Sequence, residues 1–454
     1  MTAGGVLEST AVQLQQLVAV EQASGRLPSM VAGVVRDGEL AWVGARGSAV
    51  SLADSAPAGH DTQYRIGSIT KTMTALLVMQ LRDAGALDLS DQASVHLPGT
   101  AYGDRTLRQL LAHSAGIPAE PPGSWWERSP GVSFAELTSR LNADQAALPV
   151  ARQYHYSNLA FGLLGEVVAR TRGLSWFEAL NTHLLQPLRM TRTTHSASPP
   201  CAEGFSVQAF ADALTSEPSH DTQSMAPAGQ LWSTIEDLAR YAAFLAGPLA
   251  HIIRPATLDE MTTLQSGTPE EGLTAAYGLG FRLAGAGERT LVGHTGSMPG
   301  FQAGLFVDRE RRTGAVCMAN ATAGMRCQGL PLDLLATLQR NEPMAPEEWR
   351  PVREVPADIS EILGLWHWGE TALLLSFEGS ELVLATAAAG NARAAYRYRP
   401  VGSGRFLGVS GYHTGEMLHV ARAPDGAVSH LECATFIYTR RPYDPNAPIP
   451  GGAA

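Results

Sequence analysis

The sequence contains almost no lysine. Lysine and arginine together number 33, and Lys71 is the single lysine among them. Arginine stays protonated at any accessible pH, whereas a buried lysine can be shifted toward its neutral form. Because every other basic position is arginine, Lys71 is the first candidate for an amine that must exchange protons.

Cysteine is scarce as well. The chain has four cysteines, Cys201, Cys317, Cys327 and Cys433, and no two of them form a C-x-x-C pair. Scattered cysteines of this kind are usually buried free thiols, whereas metal sites show clustered ligand spacing. The sequence therefore predicts no bound metal, and it contains no motif for a cofactor.

Basic tracts and long apolar runs are also missing. The formal net charge is −10, which argues against nucleic acid as a partner. No stretch reaches the roughly 18 apolar residues of a membrane helix, so no membrane partner is expected. The N-terminus has neither the basic start nor the apolar run of a secretory signal, which predicts a cytoplasmic protein.

The length of 454 residues favours two domains. Helical spacing predicts helices over residues 8–24 and 69–87, and residues 105–250 have a mostly helical pattern. Strand signals flank this helical part at residues 30–35, 39–43, 290–292, 303–307 and 314–319. Strands at both ends of a helical insert predict an α/β domain with an all-α lobe, over residues 1–340.

The C-terminal part has a different pattern. Residues 341–356 are rich in proline and charge and are interpreted as a linker. Six short strand-like runs follow, at residues 373–377, 381–385, 396–400, 405–409, 417–421 and 428–438. Such runs predict a small antiparallel β-barrel over residues 357–441. The proline-rich tail, residues 442–454, is predicted to be disordered.

Ser68-Ile69-Thr70-Lys71 stands where an extended segment enters the long helix. Residues i and i+3 share one helix face, so the Ser68 oxygen and the Lys71 nitrogen can meet. The helix N-terminus directs N–H groups and a partial positive charge at the same point, which supports an oxyanion. This arrangement predicts a nucleophilic serine beside a tuned amine, although S-x-x-K alone also occurs by chance.

Two further elements follow along the chain. Tyr156-Ser157-Asn158 offers a phenol, which a nearby cation could turn into a base, and an amide that can hydrogen-bond an amine. His294-Thr295-Gly296-Ser297 lies between strand-like runs. Its small residues would leave a strand edge bare for a substrate backbone, and its N–H groups could complete an oxyanion hole.

In this order and with these intervals, the three elements resemble class C β-lactamases, D-Ala-D-Ala peptidases and related esterases. The S-x-x-K and Y-x-N elements match that family directly. The third element is K-T-G in β-lactamases, whereas H-T-G is common among the esterases and peptidases. The departure at His294 disfavours a β-lactamase. The segments 110–118, 231–238 and 277–281 also look like structural signatures of the family.

The resemblance implies a role for each matching residue. Ser68 would attack a carbonyl, while Lys71 and Tyr156 would move its proton, with either one as the principal base. Asn158 would hold Lys71 and the acyl side chain, and His294 would support the Tyr156 hydroxyl. The N–H groups of Ser68 and Ser297 would bind the oxyanion beside Thr295 and Gly296.

Three acyl chemistries remain open. The C-terminal β domain makes the chain similar to the penicillin-binding-protein-type thioesterases of non-ribosomal peptide assembly lines, which carry a lipocalin-like domain. That resemblance implies head-to-tail cyclisation of a peptidyl thioester ending in a D-residue, possibly delivered on a carrier protein. Arg440 or Arg441 would then contact substrate. The alternative is a cytosolic esterase or D-stereospecific amidase or peptidase, and a β-lactamase is the least favoured.

Overall fold

The computed structural model describes residues 5–47, 58–145, 148–151, 153–267, 275–287, 289–345, 348–387, 396–402, 404–442, 444, 448 and 450. The chain divides into two compact units, residues 1–345 and 346–454. Most of the predicted tail lies outside the described residues. No described helix is both long enough and apolar enough to cross a bilayer.

The helices are α1 (Glu8–Ser24), α2 (Ile69–Asp83), α3 (Ala93–His96), α4 (Leu107–Leu111), α5 (Phe134–Arg140), α6 (Asn158–Arg172), α7 (Trp176–Leu180), α8 (Ala226–Gly229), α9 (Ile235–Ala246), α10 (Pro255–Met261), α11 (Gly329–Asn341) and α12 (Ala357–Ser360).

The strands of the first unit are β1 (Ser29–Arg36), β2 (Glu39–Gly47), β3 (Tyr64–Arg65), β4 (Phe205–Val207), β5 (Leu214–Ser216), β6 (Trp232–Ser233), β7 (Ser266–Gly267), β8 (Ala275–Tyr277), β9 (Arg282–Ala286), β10 (Arg289–Met298), β11 (Phe301–Asp308) and β12 (Thr313–Ala319). Those of the second unit are β13 (Gly364–Trp368), β14 (Thr371–Glu378), β15 (Glu381–Thr386), β16 (Tyr396–Gly402), β17 (Arg405–Ser410), β18 (Met417–Arg422), β19 (Val428–Cys433) and β20 (Phe436–Tyr438).

An eight-stranded antiparallel sheet organises the first unit, in the order β2-β1-β12-β11-β10-β9-β8-β7. Its central strands are buried on both faces, and their side chains alternate between two cores. Val31 and Val35 pack in the core that contains α9, whereas Ala32 and Val34 pack in the core of α1 and α11. The predicted α/β domain is therefore confirmed.

The predicted all-α lobe lies between the first and last strands of this sheet. Helices α6, α8 and α2 pack against one another, so α2, the helix that follows the candidate nucleophile, is contacted by two helices of this lobe. Helix α2 ends at Asp83, earlier than the predicted residue 87. Gly85, at φ +71°, adopts the left-handed conformation that ends the helix.

The second unit is an eight-stranded antiparallel barrel, in the order β13 to β20. Two backbone hydrogen bonds between His367 and Thr439, of 2.8 and 2.9 Å, join its first and last strands. The predicted barrel is confirmed, but the prediction of one run over residues 428–438 was wrong. Ala434, at φ +51°, breaks that run into β19 and β20.

Candidate active site

Ser68 is the N-cap residue of α2, at a backbone turn made by Gly67. Gly67 has φ +50°, and strand β3 leads into this turn. A serine N-cap usually accepts a hydrogen bond from its own helix, but the Ser68 side chain makes no capping bond. The hydroxyl, on a half-buried residue, is therefore available to other groups.

Lys71 is completely buried one turn into α2. Its Nζ lies 2.8 Å from Ser68 Oγ and donates a hydrogen bond of 2.6 Å to the carbonyl oxygen of Ala228. Burial lowers the pKa of Lys71 to about 7, and the negative charges of Glu120 and Glu127 oppose that shift. Near neutral pH a large fraction of Lys71 is therefore the free amine, which can accept a proton from Ser68.

Tyr156 reaches the same point from the start of α6. Ser157 caps that helix by accepting from the Ala160 N–H at 3.0 Å, and its own N–H donates to His113 Nδ1 at 3.1 Å. The Tyr156 side chain hydrogen-bonds Ser68, and its ring centroid lies 5.0 Å from Lys71 Nζ. Burial raises the pKa of Tyr156 despite that hydrogen bond, so the resting side chain is a protonated phenol.

Asn158 is bound to a carboxylate that the sequence did not single out. Its Nδ2 donates to Glu120 Oε1 at 2.7 Å, and Trp126 Nε1 donates to Glu120 Oε2 at 2.7 Å. The sequence predicted a contact of Asn158 with Lys71. In the structure the Asn158 amide donates to Glu120, and the negative charge of Glu120 acts on Lys71. Glu120 thus links Asn158 to the amine electrostatically.

A second carboxylate, Glu127, lies in the same region. It accepts a hydrogen bond of 3.1 Å from Trp125 Nε1, and its negative charge acts on Lys71. Burial raises the pKa of Glu127, and the charge of Glu120 adds to that increase. Both glutamates lie in an irregular loop whose proline-rich sequence has no periodicity, so no pattern signalled them.

We expect Glu120→Gln to lower the pKa of Lys71, because it removes a negative charge that stabilises the ammonium form. Since Lys71 is the only lysine, protein labelled with ¹³C-lysine gives one side-chain NMR titration. The wild-type midpoint should be about 7, and the variant midpoint should lie at lower pH.

The matched control for this titration is Glu166→Gln, which removes a carboxylate on α6 that pairs with Arg170 at 2.8 Å. That variant should leave the Lys71 midpoint unchanged. An identical midpoint in wild type and Glu120→Gln would show that Glu120 does not tune the amine.

His294 lies on β10 and makes two side-chain hydrogen bonds. Its Nδ1 is 2.5 Å from the Thr295 carbonyl oxygen, and its Nε2 is 2.9 Å from the Tyr277 hydroxyl. A carbonyl can only accept, so Nδ1 carries the proton. Burial, reinforced by the charge of Lys71, holds the pKa of His294 well below its usual value, so the ring is neutral.

The ring centroids of His294 and Tyr156 are 6.1 Å apart, and the Tyr277 ring lies near both, with its centroid 5.7 Å from that of His294 and 6.5 Å from that of Tyr156. Tyr277 was not predicted as a site residue, because a tyrosine on a strand next to Gly278 is usually a packing residue. The expected support of the Tyr156 hydroxyl by His294 stays a prediction. In this structure the direct partner of His294 is Tyr277.

The edge formed by Thr295, Gly296 and Ser297 lies directly against the turn before α2. A Cβ built on Gly296 would be 2.0 Å from the Ile66 oxygen and 3.3 Å from the Ser68 nitrogen. A Cβ on Gly67 would be 2.5 Å from the Ser297 nitrogen. The N–H groups of Ser68 and Ser297 therefore belong to backbones in close approach, as an oxyanion hole requires.

Gly296→Ala is expected to push β10 away from Ser68 and to lower kcat with little change in KM, because oxyanion binding strengthens in the transition state. The expected loss is about 10²-fold or more, measured with a chromogenic ester. Gly59→Ala is the control, because a Cβ there meets only Thr62 Oγ1, at 3.8 Å. Equal turnover by the two variants would contradict this assignment.

Arg440 and Arg441 lie just after β20, in the second unit. The Arg440 guanidinium donates to the carbonyl oxygens of Glu361, Leu363 and Leu365 at 2.8 to 3.1 Å. It also lies 4.0 Å from the centroid of the Trp366 ring. Arg440 thus has a structural role within the barrel, and a contact of either arginine with substrate stays a prediction.

Two family models match the chain. The model described as Beta-lactamase matches residues 14–338, and one described as a domain of unknown function (DUF7586) matches residues 355–440. Beta-lactamase-like protein 2 of Dictyostelium discoideum is 27% identical over 268 residues, which are 56% of this chain and 49% of that protein. Protein flp of Staphylococcus aureus (strain N315) is 24% identical over 68% of this chain and 62% of its own length. The matches thus span about half to three fifths of these relatives.

Solved structures share the fold. The octameric penicillin-binding protein homologue of Pyrococcus abyssi aligns with TM-score 0.66 and 21% identity, over 95% of this chain and all of that one. A D-stereospecific amidohydrolase of Streptomyces sp. aligns with TM-score 0.60 and 26% identity, over 74% of this chain and 99% of its own. SurE with D-Leu aligns with TM-score 0.59 and 25% identity, over 96% of this chain and all of its own.

Proposed function

Because this chain belongs to the Beta-lactamase family, we propose that Ser68 forms the acyl-enzyme of a serine hydrolase or acyltransferase. One observation carries the proposal. A buried amine with a pKa of about 7 lies 2.8 Å from a hydroxyl that its own helix does not use as a cap. Few functions other than nucleophilic catalysis require a neutral lysine beside a serine hydroxyl that does not cap its helix.

The acylation step follows from these positions. As Ser68 Oγ bonds to the substrate carbonyl carbon, its proton passes to the Lys71 amine. The carbonyl oxygen becomes an oxyanion facing the N–H groups of Ser68 and Ser297. When the tetrahedral intermediate collapses, the bond to the leaving group breaks. That group then takes the proton from Lys71, relayed by the Tyr156 hydroxyl, which leaves an ester on Ser68.

Lys71 is the better base in the resting enzyme. Its pKa lies near neutral pH, whereas burial raises the pKa of the Tyr156 phenol. A protonated phenol can still relay a proton. Tyr156 gives its hydroxyl proton to the leaving group and receives a proton from the Lys71 ammonium. We therefore assign the base role to Lys71 and the relay to Tyr156. The expected consequence is a pH profile of kcat/KM that rises through about pH 7.

For the acyl donor, we propose a substrate with a D-configured residue at the reacting carbonyl. Two structures of 25–26% identity support this, since one is of a D-stereospecific amidohydrolase and the other is of SurE with D-Leu. The alignment with SurE also extends over 96% of this chain. We further propose a peptidyl thioester as donor and an amine as acceptor, so that the product is a macrocyclic amide. The second candidate is hydrolysis by a D-stereospecific amidase.

The experiment offers the full chain a linear peptidyl thioester in two forms, ending in a D-residue or in its L-enantiomer. Both products have lost the thiol, and mass spectrometry separates them. The free acid is about 18 Da heavier than the macrocycle, because hydrolysis adds a water molecule and cyclisation does not. A macrocycle from the D-donor alone supports the cyclase. Free acid alone from the D-donor, with turnover of a D-amino-acid amide, supports the amidase. Acceptance of both enantiomers at equal rates would overturn the proposed D-specificity.

A further inference from the structure

The barrel contains a cluster of potential metal ligands that the reaction at Ser68 does not use. His413 and Glu416 lie in the turn between β17 and β18, and Cys433 is the last residue of β19. One ligand atom from each of these residues lies within 4.8 Å of the other two. We propose that His413, Glu416 and Cys433 form a binding site for a divalent transition-metal ion, of which Zn²⁺ fits best.

The backbone holds this turn in a fixed position. Gly408 N–H donates to the Glu416 carbonyl oxygen at 2.8 Å, and Gly415 N–H donates to the Gly408 carbonyl oxygen at 2.8 Å. A Cβ on Gly408 would lie 1.9 Å from the His413 carbonyl oxygen, so the turn folds back onto β17 where only glycine allows it. This close approach places the His413 ring inside the barrel, where it is 1% exposed.

The distances between the three ligand atoms suit a tetrahedral ion. Glu416 Oε2 is 2.6 Å from His413 Nδ1 and 4.0 Å from Cys433 Sγ. With metal bonds of about 2.0 Å to nitrogen and oxygen and about 2.3 Å to sulfur, the corresponding separations are about 3.3 and 3.5 Å. Each of these two pairs must move by less than about 1 Å, and the ligand atoms of the third pair, His413 and Cys433, lie within 4.8 Å of each other. The Glu416 side chain, 44% exposed, is free to make that movement.

The second nitrogen of His413 has the partner that a metal-bound histidine needs. The Tyr438 hydroxyl lies 3.2 Å from His413 Nε2. When Nε2–H donates to that hydroxyl oxygen, the Nδ1 lone pair points toward Glu416, and an ion can take the place between them. Binding is balanced by loss of one proton from the Cys433 thiol, while the imidazole proton moves from Nδ1 to Nε2.

The chemistry of the donors selects the ion. One imidazole nitrogen, one thiolate and one carboxylate oxygen match the ligands of Zn²⁺, whereas Mg²⁺ and Ca²⁺ prefer oxygen alone. Three protein ligands leave a fourth position for water or another ligand. The cysteine spacing predicted no bound metal, and this proposal differs from that prediction. The spacing could not indicate the cluster, because the folding of the barrel brings together residues that no C-x-x-C motif connects.

The test uses Co²⁺ as a spectroscopic probe on the chelator-treated full chain. One equivalent should produce visible bands of a tetrahedral ion and a thiolate-to-Co²⁺ charge-transfer band in the near ultraviolet, and Zn²⁺ should remove both. Cys433→Ser should lose the charge-transfer band. Cys327→Ser should keep it, because that cysteine has Gln302 and backbone as its recorded partners.

A second variant separates metal binding from folding. Glu416→Gln changes an exposed side chain, so the barrel should keep its circular dichroism while the affinity for Co²⁺ falls by about tenfold or more. Absence of a charge-transfer band in the wild-type protein would overturn the proposal. A band that persists in Cys433→Ser would do the same, because the thiolate would then come from elsewhere. Neither result depends on activity at Ser68.

Discussion

Ser68→Ala is expected to lower turnover of every acyl donor by about 10⁴-fold or more, because it removes the atom to which the acyl group is transferred. The fold should be unaffected, since the Ser68 side chain makes no capping hydrogen bond in α2. The measurement pairs steady-state kinetics with intact-protein mass spectrometry after a rapid quench. Wild-type protein should gain the mass of the acyl group, and Ser68→Ala should not.

The control for this prediction is Ser139→Ala. Ser139 is an exposed serine of α5 whose hydroxyl donates to the Glu136 carbonyl oxygen at 2.8 Å. That variant should acylate at the wild-type rate, which shows that loss of an arbitrary serine has no effect. An acyl adduct that maps to another residue, or substantial turnover by Ser68→Ala, would mean that the nucleophile has been misidentified.

Lys71→Arg is expected to fold and to lose about 10³-fold in kcat/KM, the usual scale of a general base. The guanidinium keeps the positive charge but cannot give up its proton at any accessible pH. The activity that remains should also lose the rise through about pH 7 that Lys71 produces in the wild type. Kinetics from about pH 5.5 to about pH 9, a range that brackets the expected midpoint, measure both effects.

Arg340→Lys provides the reciprocal control. It exchanges the same two residue types at an exposed position of α11, so it should change neither the rate nor its pH dependence. If Lys71→Arg retained the wild-type pH profile, a group other than Lys71 would be the base, and Tyr156 would be the next candidate. Thermal unfolding of each variant separates lost chemistry from lost structure.

These variants test different parts of one arrangement. The Ser68 variant removes the proposed acceptor of the acyl group, and the Lys71 variant removes the proposed acceptor of the Ser68 proton. Glu120→Gln leaves both groups in place. It removes a negative charge near the amine, and its NH₂ replaces one of the two oxygens that accept from Asn158 Nδ2 and Trp126 Nε1. If Glu120→Gln shifts the Lys71 titration and the kinetic profile by the same amount, the two measurements report the same group.

Local patterns predicted much of the fold. Helix α1 and the strand pair β1 and β2 formed where apolar spacing and the Arg36-Asp37-Gly38 turn indicated. The barrel was predicted, but β13 was missed and the last two strands were taken as one. Short strands are defined by their partners across the sheet as much as by their own residues, so their number and limits are poorly encoded locally.

The sequence by itself determined which residues are chemically capable. A serine three positions before the only lysine must share a helix face with it, and Y-x-N and H-T-G supplied the other candidate groups. Only the tertiary structure decided the state of those groups. The pKa of Lys71 depends on burial beneath α8 and on Glu120 and Glu127, which lie about 50 residues away along the chain.

The tertiary structure likewise decided which partner each ring and carboxylate has. His294 hydrogen-bonds Tyr277, Asn158 hydrogen-bonds Glu120, and the buried His413 lies close to the exposed Glu416 and the buried Cys433. Hydrogen bonds and electrostatic shifts act over a few ångströms of space, and such distances between residues far apart in the chain are set by packing of the whole domain. Spacing therefore identified the candidate residues, whereas folding determined their protonation.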